Sequence, residues 1–264
     1  MNKCVLITGV SGGMGLATAK KFLSFGYKVY GLDIKEPLEQ LDNLTFIKTD
    51  LSKIEEVESS YQQVKDKLDL IINTAGIYDL NSLIEISEEE FIKIFNINVF
   101  SIYRVNKVFL PLLNEGGRII IVSSELAPLD PLPFTGLYAI SKSTIEKYAY
   151  SLRMELQLLG YKVILIRPGA VDTGLIEIST NKLEKFTNST THYQYNAKKF
   201  SDIVNSVENK KIPPERIANL IYKVSIKKRP KYVYKINRNK GLLLLNALPQ
   251  SWQNRIIKKI LQSK

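Results

Sequence analysis

The chain contains very little cysteine or histidine and no long apolar run. Cys4 is the only cysteine and His192 the only histidine among its 264 residues. A single cysteine cannot form an intramolecular disulfide, which favours a reducing compartment, and a single histidine in a polar segment argues against a metal site. No stretch approaches the roughly 18 apolar residues of a membrane span, and the apolar start runs directly into a glycine turn, which leaves no room for a signal peptide. We therefore expect a cytoplasmic protein without a bound metal.

Acidic residues are also few: the chain has 26 Asp and Glu against 37 Lys and Arg, which gives a net charge of +11. The lysines are spread along the chain, are densest after Lys182, and surround no recognisable nucleic-acid module. We interpret them as a solvated surface and expect no nucleic-acid partner; an anionic substrate or a membrane surface is the alternative. With 45% hydrophobic residues the chain can bury a full core, and residues 1–264 are predicted to form one domain.

What the sequence does contain is a glycine-rich turn near its start. Residues 5–15 read Val-Leu-Ile-Thr-Gly-Val-Ser-Gly-Gly-Met-Gly, where the apolar run predicts a buried strand and the residues after the turn predict a helix. Gly9 allows the sharp turn, Gly13 allows the backbone to approach a pyrophosphate, and Gly15 allows the helix to lie close to the strand. The N–H groups and the positive end of the helix dipole then meet that pyrophosphate. Because no lysine follows the turn, an ATP-type loop is excluded.

Strands and helices alternate along the rest of the chain. Helical patterns fall at residues 53–68, 87–113 and 138–159 and after Pro213, and short apolar runs predict strands at 28–32, 44–47, 70–72, 118–122, 162–166 and 231–236. Such alternation, with strands that are apolar on both sides, predicts an α/β fold with a Rossmann-type doubly wound parallel sheet and helices on both faces.

The second predicted strand ends at Asp33, where a carboxylate can accept hydrogen bonds from an adenosine ribose. The same carboxylate repels a 2′-phosphate, at a cost of about 3 kcal/mol for charges about 5 Å apart at an effective dielectric of about 20. NAD is therefore favoured over NADP. Lys35 is close enough in sequence to reach a phosphate, which leaves NADP as the alternative.

Tyr138 and Lys142 lie four residues apart on a predicted helix, so that they share a face. A free phenol has a pKa of about 10, and a nearby ammonium is expected to lower that pKa by stabilising the phenolate. Tyr138 is then predicted to take the hydroxyl proton of an alcohol while hydride leaves its carbon, or to donate a proton in the reverse reduction.

Together these elements resemble the short-chain dehydrogenase/reductase family. The family's Thr-Gly-x-x-x-Gly-x-Gly fingerprint begins here at Thr8, and its Tyr-x-x-x-Lys pair begins at Tyr138. The Asp-Leu pair at 50–51, the Asn-Thr-Ala-Gly element at 73–76 and the Pro-Gly-Ala-Val-Asp-Thr element at 168–173 are similar to further family motifs, with Thr in place of an alanine at position 74. The resemblance implies a dinucleotide site formed by Gly9, Ser11, Gly13, Met14, Gly15, Asp33, Ile34, Asp50, Leu51, Asn73, Ala75, Gly76, Tyr138, Lys142, Pro168, Gly169, Val171 and Thr173.

The same resemblance implies a catalytic set. Ser124, which we favour over its neighbour Ser123, is implied to hydrogen-bond the substrate oxygen, and Lys142 to hold the nicotinamide ribose as well. An asparagine is implied to hold a water that links the lysine to solvent; Asn96 and Asn98 cannot both point inward, and the Val-Phe-Ser that follows favours Asn98. The implied catalytic residues are therefore Asn98, Ser124, Tyr138 and Lys142.

Two further segments are candidates for contact with the substrate and with partners. Residues 174–211 form a variable, polar substrate segment in which Tyr193, Tyr195 and Phe200 either cover the substrate or pack on the domain, with residues 126–137 and Tyr78 as further candidate walls. Residues 241–264 form an amphipathic tail, basic beside its apolar stripe. We favour packing of this tail on the protein or on a second copy, with peripheral membrane contact as the alternative.

We therefore expect an NAD-dependent oxidoreductase that acts on a secondary alcohol or its ketone. An NADP-dependent carbonyl reductase of a lipid-like substrate is one alternative, and a non-catalytic dinucleotide-sensing protein is another. The family resemblance implies a homodimer or a homotetramer.

Overall fold

Seven parallel strands form one sheet in the computed structural model, which describes residues 3–208 and 210–262. Each strand is a short run rich in branched apolar residues, and the inner strands are buried on both faces. In chain order the strands are β1 (Cys4–Thr8), β2 (Lys28–Asp33), β3 (Leu44–Lys48), β4 (Leu68–Asn73), β5 (Leu113–Val122), β6 (Lys162–Pro168) and β7 (Val233–Ile236).

The strand order is β3-β2-β1-β4-β5-β6-β7, so the winding direction of the chain reverses between β1 and β4. Ligands of such sheets bind in the crevice at the carboxyl ends of the strands where this reversal occurs. Here the crevice is narrow at its base, because a Cβ on Gly9 would lie only 3.0 Å from the Cα of Ala75. The predicted doubly wound parallel sheet is confirmed.

Helices cover both faces of the sheet. Those in the described part of the chain are α1 (Gly13–Leu23), α2 (Ile54–Tyr61), α3 (Glu88–Phe95), α4 (Ser101–Phe109), α5 (Gly136–Leu156), α6 (Gly174–Ser189), α7 (Gln194–Glu208), α8 (Pro214–Ser225), α9 (Lys240–Asn246) and α10 (Gln250–Gln262).

Successive side chains of a strand enter two different apolar cores, one on each face of the sheet. In β5, Ile119 and Ile121 join the core that α2, α4 and α5 cover, whereas Ile120 and Val122 join the core under α1 and α8. This double burial explains why the strands have no polar side, and it holds the carboxyl ends of the strands in fixed positions.

The helical region predicted over residues 87–113 is confirmed, and it contains a change of helix type. Ser87 caps its start by accepting a hydrogen bond from Glu90 N at 3.2 Å, and the region runs without a break through α3, a π-helical turn (Asn96–Phe100), α4 and a final 3-10 turn to Leu112. The strand β5 begins at Leu113. The π turn places Asn98 in the interior, and such turns often occur at functional sites.

Residues 174–211, for which the sequence predicted only a polar segment, form α6 and α7. Their apolar residues occur at helical spacing, but the Asn, Thr and Lys between them hide the pattern. Phe186 of α6, Phe200 of α7 and Leu261 of α10 are buried together in a third apolar cluster outside the sheet. This cluster, which we call the lid cluster, fixes α7 over the carboxyl ends of the strands.

Candidate active site

The glycine turn between β1 and α1 forms one wall of a cleft of about 450 Å³ at the carboxyl edge of the sheet. Gly9 and Gly13 have φ angles of +76° and +51°, which glycine adopts without strain. A Cβ on Gly15 would lie 1.9 Å from the Gly9 carbonyl oxygen, so only glycine lets α1 begin this close to β1. No acidic side chain occupies the first turn of α1, so its N–H groups and dipole are available to an anion. This wall fits a pyrophosphate.

Two carboxylates also line this cleft. Asp33 accepts hydrogen bonds from Ser11 N at 3.0 Å and from Ile34 N at 2.7 Å, which fix it beside the glycine turn. Asp50 accepts hydrogen bonds from Ser52 N at 2.9 Å and from its hydroxyl at 2.7 Å. Burial alone would raise the pKa of Asp50, but these hydrogen bonds and Lys53 hold the pKa below its usual value. Both groups are placed where an adenosine moiety fits.

A second cavity, of about 210 Å³, opens from the cleft. The residues that line both spaces are Met14, Thr74, Gly76, Ile77 and Thr173. The walls of the second cavity are mostly apolar, and they include Leu126, Leu132, Phe200, Ile203, Val204 and Leu242. A ligand bound in the cleft and an apolar ligand bound in the cavity would therefore meet at the ends of β4 and β6.

Tyr138 lines the second cavity from the first turn of α5. Ser124, which follows β5, lies near Tyr138 in the lining of the same cavity, and its Oγ accepts a hydrogen bond from Leu126 N at 3.2 Å. The ring of Tyr78 packs edge-on against Tyr138, with centroids 4.5 Å apart. Burial raises the pKa of Tyr138 to about 12, and the nearby Ser124 side chain offsets this only in part. The structure thus gives a raised pKa where the sequence predicted a lowered one, because burial disfavours the charged phenolate.

Lys142 lies one helical turn beyond Tyr138 and is 5% exposed. Its Nζ donates a hydrogen bond to Val122 O at 3.4 Å and lies 5.7 Å from the centroid of the Tyr138 ring. Burial lowers the pKa of Lys142 to about 8, although the Glu146 carboxylate acts in the opposite direction. At neutral pH the side chain therefore still places a positive charge behind the phenol.

Asn98 is fully buried in the π turn. Its Oδ1 accepts a hydrogen bond from Ile77 N at 2.8 Å, and its Nδ2 donates to Ile77 O at 2.9 Å and to Ser141 Oγ at 3.1 Å. A Cβ on Gly76 would meet Asn98 Oδ1 at 3.2 Å and Lys142 Nζ at 3.4 Å, so these two groups approach each other over this glycine. The inward-pointing asparagine is Asn98, as the sequence predicted.

Ser123, which also lines the second cavity, differs from Ser124 in its hydrogen-bond partner. Its hydroxyl donates a hydrogen bond to Glu146 Oε1 at 2.9 Å, and Arg167 Nε donates to the same oxygen at 2.7 Å while its other arm pairs with Glu146 Oε2. Ser123 thus belongs to a partly buried ion-pair network beside Lys142. Both serines line the second cavity, but the Ser123 hydroxyl is already bonded to Glu146, which leaves Ser124 as the serine available to a ligand there.

The predicted dinucleotide residues line the two spaces with one exception. Asn73 is buried behind the lining, where its amide donates a hydrogen bond to Asn106 Oδ1 at 2.9 Å. Of the four predicted catalytic residues, Ser124, Tyr138 and Lys142 line the second cavity, and Asn98 lies behind it.

Several lining residues were not predicted. Glu125 directly follows Ser124, and its position beside a predicted active-site serine was the signal that could have found it. Leu242 belongs to the leucine run of the tail, which the sequence singled out without assigning it to the cavity. Thr8 does not line the cleft but shapes it, because its hydroxyl accepts hydrogen bonds from Thr74 N and Ala75 N, both at 3.2 Å.

The tail packs on its own chain, which was the favoured interpretation. Asn239 caps α9 by accepting a hydrogen bond from Gly241 N at 2.9 Å, and Gln253 of α10 donates one to Asp130 Oδ2 at 3.1 Å. At the far end of α10, Leu261 O accepts one from Asn196 Nδ2 at 2.9 Å. Three large apolar side chains of the tail nevertheless stay exposed, namely Leu244, Trp252 and Ile260.

Neither a metal site nor a membrane span is found among the residues that the structure describes. Within 3–208 and 210–262, no His, Cys, Asp and Glu side chains gather as metal ligands would. The helices of the same part of the chain are all too short or too polar to cross a bilayer.

Comparison with known proteins gives one consistent family. A family model described as short chain dehydrogenase matches residues 3–184. The chain is 27% identical over 253 residues to 3-ketodihydrosphingosine reductase of Bacteroides thetaiotaomicron, across 94% of this chain and 92% of that protein. It is 30% identical over 264 residues to the probable short-chain type dehydrogenase/reductase VdlC of Helicobacter pylori, across 97% and 96%. It is 27% identical over 272 residues to NADPH-dependent 3-dehydrocapnine reductase of Ornithobacterium rhinotracheale, across 97% and 94%.

Solved structures agree. A short chain dehydrogenase family protein from Francisella tularensis superposes with a TM-score of 0.76 at 26% identity, over 89% of this chain and 97% of that one. Two more distant neighbours share the fold: a short chain dehydrogenase/reductase from Burkholderia phymatum in complex with NAD (TM-score 0.73, 23% identity, 88% of each chain) and a short chain dehydrogenase from Burkholderia cenocepacia in complex with NADP (TM-score 0.73, 19% identity, 100% and 98%).

Proposed function

Because the chain belongs to the short-chain dehydrogenase/reductase family, a family of oxidoreductases, we propose that it interconverts a ketone and a secondary alcohol with a nicotinamide dinucleotide. The observation that carries this proposal is the placement of Ser124, Tyr138 and Lys142 in the lining of one cavity, at the place where a cleft that fits a dinucleotide meets that apolar cavity. The nicotinamide, when bound, supplies or accepts the hydride.

The chain's own residues handle the proton. In reduction, Tyr138 donates a proton to the carbonyl oxygen while Ser124 donates a hydrogen bond to the same oxygen and stabilises its developing charge. Lys142 holds a positive charge behind the phenol, and Asn98 Oδ1 faces it over Gly76. We propose that Asn98 holds a water there that links Lys142 to solvent. In oxidation Tyr138 accepts the proton instead.

The raised pKa of Tyr138, about 12, favours the role of acid over that of base. A phenol with this pKa is protonated throughout the neutral range and can donate at once, whereas oxidation must begin from a scarce phenolate. We therefore propose that reduction is the faster direction at neutral pH.

We propose NAD as the cofactor. Asp33 is held at the end of β2 by two backbone N–H groups, so it cannot easily turn away from a 2′-phosphate. Lys35 is exposed, and its own N–H points toward Asp33 Oδ1 at 3.3 Å. Proteins of this fold have been solved with NAD and with NADP, so discrimination depends on such local charges.

NADP-dependent reduction of a lipid-like ketone is the second candidate function. The apolar lining of the second cavity favours an apolar substrate. Two relatives are by name reductases of 3-ketodihydrosphingosine and of 3-dehydrocapnine, and the second is NADPH-dependent. We propose an apolar ketone as substrate with either cofactor, and residues 174–211, through α7, as the substrate segment of a single domain spanning 1–264.

The first experiment measures nicotinamide oxidation and reduction over a panel of ketones and secondary alcohols, with NAD and NADP coenzymes compared side by side. Tyr138→Phe should lower kcat/KM at least about 100-fold, because the proton donor is lost. Tyr161→Phe removes a hydroxyl from the end of the same helical region and should leave kcat/KM unchanged.

Other outcomes separate the alternatives. A preference for NADP would overturn the role given to Asp33. Dinucleotide binding without turnover of any ketone or alcohol, equal in the wild type and Tyr138→Phe, would favour the sensing protein over the enzyme.

We also propose that two copies pair in solution. Phe100 and Tyr103 near α4, and Tyr150 and Met154 on α5, are exposed on neighbouring helices, an arrangement that a second copy would bury.

The only cysteine, Cys4, is a buried thiol, and burial raises its pKa to about 11. With no cysteine available for a disulfide, we place the protein in the cytoplasm.

A further inference from the structure

Glu125 is a buried acidic group in the wall of the second cavity that the proposed proton transfer does not use. It is 7% exposed, follows Ser124 directly, and is held at the end of the sheet because its backbone N–H donates to Pro168 O at 2.8 Å. Buried acidic side chains are rare unless they are paired. A buried carboxylate in this position therefore requires partners for its two oxygens.

The two oxygens of Glu125 have different surroundings. Oε2 accepts a hydrogen bond from Asn239 N at 2.7 Å, which ties the start of α9 to the end of β5. Oε1 lies against Gly169, where a Cβ would approach it to 2.9 Å, and it accepts no hydrogen bond from any residue that the structure describes. One oxygen thus has a structural partner and the other is open for a ligand.

No protein cation neutralises this carboxylate at close range. Arg238 is the neighbour whose charge lowers the pKa of Glu125, but burial raises that pKa by more, and Arg238 forms no ion pair with it within the described residues. The remaining walls of the cavity are largely apolar. An unpaired acceptor in such surroundings favours a ligand that brings a positive charge.

We infer, on the basis of the proposed function, that Glu125 binds a protonated amine of the substrate, so that the preferred ketones carry a cationic amine near the carbonyl group and an apolar chain beyond it. Ser124 and Glu125 are consecutive, so a carbonyl oxygen held at Ser124 brings the neighbouring carbons of the substrate close to Glu125. The chain of the substrate then extends along Phe200, Ile203 and Leu242. Glu125 thereby selects the head of the substrate, and the apolar wall selects its tail.

The kinetic test compares a long-chain methyl ketone with its aminomethyl counterpart of equal chain length. The wild type should prefer the amino ketone in kcat/KM, and Glu125→Gln should lower the ratio of the two kcat/KM values by about tenfold or more, the effect of one charge-assisted hydrogen bond. Glutamine keeps an acceptor for Asn239 N, so α9 retains its anchor. Glu115→Gln removes an exposed charge from the same strand and should leave the ratio at the wild-type value.

A binding test needs no turnover. Calorimetry should show that a long-chain primary amine binds the wild type more tightly than the alcohol of equal chain length, and that Glu125→Gln abolishes the difference. Equal binding of amine and alcohol by the wild type would overturn the inference, as would a Glu125→Gln variant that weakens both ketones equally, since that is the result of a structural role only. If no ketone turns over but the amine preference is present, the proposed function fails while the role of Glu125 stands.

Discussion

Tyr138 and Lys142 illustrate at the scale of single residues how burial and charge compete. Burial favours the uncharged form of each group, so it raises the pKa of Tyr138 to about 12 and lowers that of Lys142 to about 8. The partly buried carboxylate of Glu146 partly restores the charge of Lys142, and Arg167 and Ser123 hold that carboxylate in place. At neutral pH the phenol is therefore protonated and the ammonium is charged.

These pKa values predict opposite pH dependences for the two directions of the reaction. Oxidation requires the phenolate together with the ammonium, so its kcat/KM should increase steadily between about pH 6 and about pH 8 and level off above about 8, where Lys142 loses its charge. Reduction requires the phenol and the ammonium, so its kcat/KM should be flat at low pH and fall above about 8. Initial rates measured in both directions over this range check the prediction.

A control and a contrary outcome accompany these profiles. Lys142→Arg keeps a charge that does not titrate in this range, so the fall in reduction above about pH 8 should disappear for whatever activity the variant retains. An oxidation rate that is already flat below pH 8 would contradict the raised pKa of Tyr138 and restore the expectation drawn from the sequence.

Spacing predicted which residues meet, and it could not predict their pKa values. Tyr138 and Lys142 share a face because four residues span one helical turn, and Ser124 is near them because parallel strands end at one edge of the sheet. The burial of Tyr138, Lys142 and Ser124 depends on α7 and α9, which cover the cavity and come from distant parts of the chain. Glu125 was missed for the same reason, since nothing local shows that a glutamate after a serine is buried.

At the scale of elements, one carboxylate holds the turn between α6 and α7. Glu85 accepts hydrogen bonds from the Thr190 hydroxyl at 2.7 Å, from Thr191 N at 2.9 Å and from His192 N at 3.1 Å. The hydrogen bond from Thr190 is the largest cause that lowers the pKa of Glu85, to about 2. Since the folded-state pKa lies below the ordinary value of 4.5, this stabilisation is complete above about pH 4.5 and is lost as the pH falls through about 2.

Glu85→Gln should loosen the turn between α6 and α7 without disturbing the sheet. One amide cannot accept all the hydrogen bonds that two carboxylate oxygens accept, so amide exchange of residues 190–200 should become faster while that of β1 and β4 stays unchanged. Hydrogen–deuterium exchange at neutral pH measures both regions at once. Glu36→Gln removes an exposed charge elsewhere and serves as the control; faster exchange there too, or none in Glu85→Gln, would contradict the role of Glu85.

Elements with a strong apolar period were predictable, and elements that depend on tertiary contacts were not. β1, α1 and β5 carry dense apolar patterns and appear within a few residues of their predicted bounds. The helical region at 87–113 was predicted, but the π turn inside it was not, because no helical period encodes a single widened turn. α6 and α7 were not predicted because few apolar side chains mark them in the sequence. Phe186 and Phe200 are enough to bury these helices against the protein once α10 completes the lid cluster.

At the scale of the whole molecule, the exposed apolar face of α4 and α5 predicts the assembly. Tyr150→Glu combined with Met154→Glu should convert the dimer, or a larger assembly, to a monomer, because each charge would be buried without a partner at the interface. Light scattering after size exclusion measures the mass. Leu38→Glu alters a fully exposed leucine elsewhere and should leave the mass unchanged; a wild type that is already monomeric would contradict the proposal.

The position of Leu242 in the cavity wall has a consequence for the order in which the molecule acquires its properties. Every residue that lines the dinucleotide cleft lies between Gly9 and Gly174, whereas the second cavity also needs Phe200, Val204 and Leu242. A ribosome extends the chain by roughly 5 to 20 residues per second, and the earlier residues emerge first. The nascent chain therefore has all the residues that line the cleft several seconds before it has those that complete the second cavity, and the helices that emerge last supply the final part of that cavity's wall.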